Sequence, residues 1–341
     1  MNTQKLNTSP RIKRETKNKI RVEFERTPFL ERMKARFGTT YFAQRVVWYV
    51  FRFVLLLGIS YVILFPFFAK ISGSFMSPND FVDVTVRLIP KYPTFDIYRA
   101  IFVEQQYMKA FMNTALLSVS TALIQTFICS VVGYGFAKFK FKGNTLLFLA
   151  VVLTMIIPHG TLQFALFMKF RYFDVFGLMR LISGQTLTLT NTFWPLILMS
   201  LFGLAFKNGL YIFMMRQFYR GVPDELEESA YVDGSGVFRT FIQIILPLSV
   251  PMMITIFLFS FSWQWTDDFY TTLFFTTTRT VLMPTIVGIP NSLQTNYAGQ
   301  NLYYAAINST CGLMIIAPLI IVYLFCQKFL VQGIERSGII G

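Results

Sequence analysis

The sequence predicts an all-α membrane protein with six transmembrane helices. Three observations carry this. Apolar residues make up 54% of the 341 positions, and charged residues only 14%. The apolar residues gather into runs of about 20, the length needed to cross a bilayer as helix. Lys and Arg crowd the flanks of those runs, as membrane topology demands. With a mean hydropathy of +0.51, the chain has too little polar surface for a soluble α-protein of this size.

The first segment, residues 1–45, is a basic arm. Lys5, Arg11, Lys13, Arg14, Lys17, Lys19, Arg21, Arg26, Arg32, Lys34, Arg36 and Arg45 supply most of the net charge of +14. Placed ahead of a hydrophobic run, they read as a positive-inside signal and as attraction to anionic lipid. They do not read as an RNA-binding arm, because nothing there stacks or repeats. Residues 1–27 are expected to be a mobile cytoplasmic stretch. Residues 28–45 suit a short interfacial helix, with Phe29, Leu30, Met33 and Phe37 on one side.

The apolar body, residues 46–331, holds spans near 50–69, 110–135, 144–168, 193–216, 247–266 and 303–327, and residues 332–341 form a short tail. In the first span Arg52 has a side chain long enough to snorkel. Lys138, Lys140 and Lys142 fall between the second and third spans. Arg216, Arg220 and Arg239 fall between the fourth and fifth, and Lys328 and Arg336 follow the last. An inside N-terminus and an even number of crossings fit all of them, which places both termini in the cytoplasm. The outside loops would be roughly 70–109, 169–192 and 267–302. Cys129, Cys311 and Cys326 all lie in apolar runs and read as small buried hydrophobes. No cleavable signal peptide is evident.

The loop at 221–247 carries the most information. Pro223 suits the first turn of a helix. Asp224, Glu225, Glu227 and Glu228 crowd that turn, where the helix dipole favours negative charge. Gly234 is placed to end the helix in a left-handed cap, and Ser235 to N-cap the next. Phe238, Phe241, Ile242 and Ile245 then recur at helical spacing, and Pro247 and Pro251 break into the fifth span. A helix this short needs something to pack against. Leu226 and Ala230 share a face flanked by Tyr231, which suits a groove in a partner protein. An ordinary solvated and capped loop fits the same residues.

A resemblance sharpens that reading. Glu228-Ser229-Ala230, then Gly234, then Ile244, Leu246 and Pro247 resemble the EAA motif of ABC importer permeases, with Ser229 in place of the usual middle Ala. The wider run from Pro223 to Gly234 is similar to the maltose-type carbohydrate branch, in its MalG-like subunit. Asn113-Thr114, the stretch Tyr134 to Gly143, Ile157-Pro158, Phe213 to Phe218, Trp263 to Asp267 (with Thr266 where Asn is usual) and the tail Phe329 to Gly341 also resemble that pattern. The resemblance covers about residues 45–341. It implies the type I importer permease (MetI-like) fold in a bacterial cell membrane, with the loop as a coupling helix docked on an ATPase subunit. Glu227, Glu228, Ser229, Ala230, Asp233, Gly234, Leu246 and Pro247 would carry the coupling, and Glu228 would face a basic residue of the ATPase. Implied partners are a sister permease, two ATPase subunits that bind ATP and Mg, an extracellular solute-binding protein, membrane lipid and a sugar.

Catalytic chemistry is not expected. There is no Gly-x-x-x-x-Gly-Lys loop, so the chain should not bind ATP itself, and no other cofactor is expected. The single histidine, His159, rules out a His-pair zinc site. Beside Pro158 it reads as a helix-break residue before it reads as a substrate contact. Asp267 and Asp268 are adjacent and cannot oppose each other as a protease dyad. Lys207 and Asn208 fall midway along the fourth span. A charge there costs about 2.5–3.5 kcal/mol on insertion scales, so either it faces a pathway or the helix starts later and Lys207 sits near the surface. Trp263, Trp265, Asp267 and Tyr270 suit a sugar path, since sugars stack on aromatics and bond to carboxylates. Tryptophans at a membrane interface are also ordinary anchors. An importer of another solute, such as glycerol phosphate or a polyamine, is the nearest alternative. A secondary transporter would need internal repeats and acids within the spans, and neither is evident.

Overall fold

In the computed structural model, residues 11–14, 20–23, 40–277, 280–297 and 299–338 are described. Strands β1 (Arg11–Arg14) and β2 (Ile20–Glu23) pair antiparallel, with Ile12 opposite Val22 and Arg11 opposite Glu23. This hairpin lies inside the stretch expected to be irregular. Most of the interfacial helix expected over 28–45 lies outside the described residues, and the chain is helical from Thr40.

Helix α1 (Thr40–Gly73) is a single helix with Pro66 inside it, starting ten residues earlier than expected. The chain divides into two compact units after Phe68. The second unit holds both candidate sites. It opens with a loop organised by Asp80, a buried carboxylate that accepts from the amides of Ser77 (3.0 Å) and Lys91 (3.2 Å). Helix α2 (Asp96–Glu104) then buries Ile97 and Ile101.

Helix α3 (Tyr107–Lys138) is the central rod. Its buried positions recur every three to four residues, and most are small or hydroxylated: Ala110, Thr114, Ser118, Thr121, Ala122, Cys129, Ser130 and Gly133. Small residues let neighbouring backbones approach closely, which is how helices associate without a hydrophobic drive between them. The closest approach is at Gly133, where an added Cβ would stand 2.6 Å from Met215 Cβ and 3.0 Å from the Arg216 amide.

Two of the six expected spans are broken. The third divides into α4 (Asn144–Ile156) and α5 (Gln163–Arg171), the helical segments on either side of Pro158 being bent by 96°. Pro158 forces Ile157 into extended backbone (φ −68°, ψ 120°), which ends α4. After the short α6 (Leu178–Ser183), the fourth divides into α7 (Trp194–Leu201) and α8 (Asn208–Arg220). Gly203 and Lys207 both take positive φ, 70° and 67°, so no helix passes between them. Among the described residues, four uninterrupted helices are long and apolar enough to cross a membrane, or five with the bent pair counted as one span.

Helix α9 (Glu225–Val232) follows α8, and α10 (Val237–Thr240) leads through a wide turn at Phe241–Ile245 into α11 (Leu246–Trp265). Pro247 and Pro251 were expected to break the chain here, yet the helix runs on from Val237 to Trp265. The Leu246 amide bonds the Phe241 carbonyl, five residues back. That widened turn lies just where the Pro247 ring would strike the carbonyl four residues behind it. Helices α12 (Phe269–Phe274) and α13 (Gln300–Gly338) complete the unit. α3 packs on α8 and α11, and α11 on α13. One core cluster, including Tyr134, Met215, Tyr219, Phe241, Ile245 and Met252, lies where α3, α8 and the 241–256 helix meet.

Candidate functional site

The loop between α8 and α11 is a capped helix followed by a tight reversal. Asp224 stands at the N-cap, with Glu225, Glu227 and Glu228 in the first turn. Pro223 lies just ahead of the cap, two positions before the first helical residue, Glu225, where a first-turn proline would stand. The helix ends in a Schellman motif. The Gly234 amide bonds the Tyr231 carbonyl (3.0 Å) and the Ser235 amide bonds the Ala230 carbonyl (2.9 Å), with Gly234 at φ +80°. The next helix is capped at Gly236, where Ser235 was expected. Ser235 Oγ instead accepts a hydrogen bond from the Thr240 hydroxyl at 3.1 Å.

The faces of α9 also differ from the simplest reading. Glu227 and Ala230 are turned inward and buried, while Leu226, expected to pair with Ala230, is exposed. Glu228, Ser229 and Asp233 are exposed, and Val232 and Phe238 stand 87% and 77% exposed beside them. Leu246 is half-buried and Pro247 exposed at the start of α11. The outward surface of the loop therefore mixes carboxylates with large apolar side chains.

Beneath α9 lies Lys138, the last residue of α3, with its side chain only 7% exposed. Its ammonium donates to the Val222 carbonyl at 2.7 Å and to the Asp224 carboxylate, and it lies 3.8 Å from Glu227 Oε1. Asp224 is held below the ordinary carboxylate range by that bond. Burial pushes the Glu227 carboxyl up, and the Lys138 charge opposes the shift.

The second candidate site forms where the α7–α8 break faces the end of α11. Lys207 is not midway along a span. It caps α8 in left-handed conformation, and its ammonium lies 4.7 Å from the ring centre of Phe206 and 5.1 Å from that of Trp263. Phe206 meets Trp263 edge-on at 5.2 Å and His159 at 4.6 Å. His159 Nδ1 shares a hydrogen bond with the Tyr270 hydroxyl at 2.8 Å. A cavity of about 20 Å³, room for about one water, is lined here by Gln125, Phe206, Ser260, Trp263, Asp267 and Tyr270 among others. Asp267 accepts from the amides of Tyr270 (3.3 Å) and Thr271 (3.2 Å) at the start of α12. It lies two residues beyond the end of α11, and burial pushes its carboxyl up to about 6.

Two expected pathway residues stand elsewhere. Trp265 is 1% exposed, donates from Nε1 to the Ile315 carbonyl at 2.9 Å and packs on Phe111 and Phe261. It is a core residue, since one helical residue cannot face the same way as its neighbour at i+2. Asn208 is also buried, and both atoms of its side-chain amide lack a protein partner. It does not line the cavity. In the other direction, sequence reading passed over Gln125. Its amide donates to Ser200 Oγ (3.1 Å) and accepts from Ser260 Oγ (3.0 Å), tying α3 to α7 and α11 under the cavity. A glutamine amid an otherwise apolar run was the available signal. Asn113 and Thr114 take up the 281–283 segment, through the Val281 carbonyl (3.0 Å) and the Met283 amide (2.8 Å).

Comparison with known proteins places the chain in a family. Residues 129–336 match the family described as binding-protein-dependent transport system inner membrane component. The chain is 27% identical over 298 residues to the galactooligosaccharides transport system permease protein GanQ of Bacillus subtilis (strain 168), covering 86% of this chain and 96% of that one. It is 28% identical over 294 residues to the arabinooligosaccharides transport system permease protein AraQ of the same organism, covering 85% and 94%. It is 27% identical over 289 residues to the maltodextrin transport system permease protein MalD of Streptococcus pneumoniae (strain ATCC BAA-255 / R6), covering 84% and 93%. Among solved structures, it is similar to a chain of a bacterial ABC transporter involved in the import of the acidic polysaccharide alginate. There the TM-score is 0.61 at 20% identity, covering 89% of this chain and 99% of that one, a likeness of fold. The family match takes in more than half of the chain, including α8 to α11 with the whole loop between them, and the protein belongs to the binding-protein-dependent transport system inner membrane components, multi-pass proteins of the membrane.

Proposed function

We propose that this chain is the membrane-spanning permease subunit of an ATP-driven importer that carries a sugar or oligosaccharide. An extracellular solute-binding protein delivers the sugar, and a sister permease completes the pathway. Two ATPase subunits bind ATP and Mg, and this chain holds no cofactor of its own. Both termini lie in the cytoplasm, as the Lys and Arg around residues 138–142 and 216–239 require.

The observation that carries the reading is the outward surface of α9. An eight-residue helix cannot hold its shape alone, and here its inner face is spoken for by Lys138 and the core. Its outer face presents Glu228 with Val232 one turn on, and Leu226 and Phe238 are exposed as well, a charged and apolar mixture that suits a groove in a partner. Glu228, Ser229, Asp233 and Gly234 would seat in the ATPase, with Gly234 shaping the reversal. Glu227, Ala230, Leu246 and Pro247 would fix α9 to the spans. ATP binding would draw the coupling helices together and open the pathway outward. Lys207, Trp263, Asp267 and Tyr270, with His159 and Phe206, would line that pathway. Sugar is favoured over glycerol phosphate or polyamine because relatives along most of the chain are named for oligosaccharides.

The test is uptake into proteoliposomes holding this chain with its sister permease and ATPases. Radiolabelled galacto-, arabino- and malto-oligosaccharides are offered with the binding protein outside and ATP inside. Uptake that requires both ATP and the binding protein supports the proposal. Uptake that persists without ATP and follows an ion gradient overturns it, and uptake only of glycerol phosphate or a polyamine overturns the sugar assignment.

A further inference from the structure

The geometry points to Lys138 as a positioning residue that clamps the coupling helix α9 to the end of α3, so that movement of α9 is delivered along α3 to the polar floor of the cavity. This rests on the proposed function of α9 and adds the route by which its motion leaves the loop.

Several observations converge on Lys138. Its side chain is almost wholly enclosed, yet it keeps a hydrogen bond to the Val222 carbonyl and two acidic neighbours, Asp224 at the N-cap and Glu227 one turn on. A buried ammonium is costly unless paired. Here all the pairing comes from the entry to α9, so α9 cannot swing away from α3 without stranding the charge. Glu227 adds to this, since it is buried and its Oε1 lies 3.8 Å from the Lys138 ammonium, whose charge offsets its desolvation. α3 is then gripped along its length. Gly133 lies against Met215 of α8. Ser130 shares a hydrogen bond with the Tyr219 hydroxyl at 2.6 Å, and Tyr219 donates to Ser249 Oγ of α11 at 3.0 Å. Thirteen positions before Lys138, Gln125 bonds Ser200 and Ser260 at the cavity. One continuous helix therefore has its end locked to α9 and its middle in the cavity floor. The other basic residues of the same connection, Lys140 and Lys142, form no ion pair among the described residues.

The experiment uses the reconstituted importer, comparing the wild type with Lys138→Met, Lys138→Arg and the double variant Asp224→Asn/Glu227→Gln. Subunit assembly, ATP hydrolysis with and without binding protein, and sugar transported per ATP are measured together. Lys138→Met and the double variant are expected to keep the ATPase subunits bound and hydrolysis within about twofold, while sugar per ATP falls about tenfold, a coupling loss in the usual allosteric range. Lys138→Arg, which keeps the charge, is expected to restore at least half of the ratio. A wild-type ratio in either charge-removing variant that assembles overturns the proposal. So does loss of assembly in both, which would make the cluster a folding element only. Failure of the proposed function itself looks different: the wild-type complex would then show no stimulation of hydrolysis by binding protein.

Discussion

Gly234 and Asp267 show how much one residue decides. Gly234 sits at φ +80° with open space around it, so a side chain there meets no neighbour and the cost is purely backbone conformation. Gly234→Ala is expected to destabilise the purified chain by about 1–2 kcal/mol, read as a lower thermal midpoint in detergent. Asp267 tests the electrostatics. Its folded carboxyl is raised from 3.8 to about 6, burial being the main cause. The folded state then holds the proton more tightly than the unfolded one. That contribution to stability is complete below the ordinary carboxylate value and is lost as pH rises through about 6. The wild-type midpoint is expected to decline over that window relative to Asp267→Asn, which has no such proton to lose. Equal slopes would show that Asp267 is not desolvated.

At the scale of elements, α3 works because its inner face is small. Gly133 and Gly135 are two residues apart on the same helix, but only Gly133 meets another backbone, and nothing lies within 4 Å of a Cβ at Gly135. Gly133→Val is expected to cost about 1–3 kcal/mol as overpacking forces α3 off α8. Gly135→Val carries the same helix propensity and should cost much less. Unfolding of both variants in detergent makes the comparison, and equal losses would argue against the close approach. The elements differ in how far the sequence revealed them. α1, α3, the helix into α11 and α13 were legible because long apolar runs leave little choice in a membrane. The left-handed cap at Gly234 was legible because few residues adopt that conformation. The break at 202–207 was hidden, because Phe202, Leu204 and Phe206 keep the run apolar through two left-handed positions. The helix through Pro247 was hidden for the opposite reason: a proline usually ends a helix, and only the widened turn at Phe241–Ile245 lets this one continue. Trp265 was misassigned because residue type alone does not give the facing of a helix end.

At the scale of the whole molecule, the two candidate sites lie at opposite kinds of boundary. The loop between α8 and α11 exposes acidic and apolar groups together, the mixture on which the proposed docking to a protein partner rests. The second site gathers aromatic rings, a lysine and a carboxylate at a broken helix, where irregular backbone and polar side chains are tolerated when protein surrounds them. The spacing from Glu228 to Pro247 made the first site readable from sequence. The second depended on breaks at Pro158 and Lys207 that bring His159, Phe206, Trp263 and Tyr270 together from three distant stretches. The central claim is that energy from ATP enters through α9. The most direct measurement is ATP hydrolysis by the reconstituted complex, with and without sugar-loaded binding protein, in the wild type and in Glu228→Arg. The account expects several-fold stimulation in the wild type and its loss in Glu228→Arg, with the isolated variant chain as stable as the wild type because Glu228 faces outward. Undiminished stimulation in Glu228→Arg would contradict it.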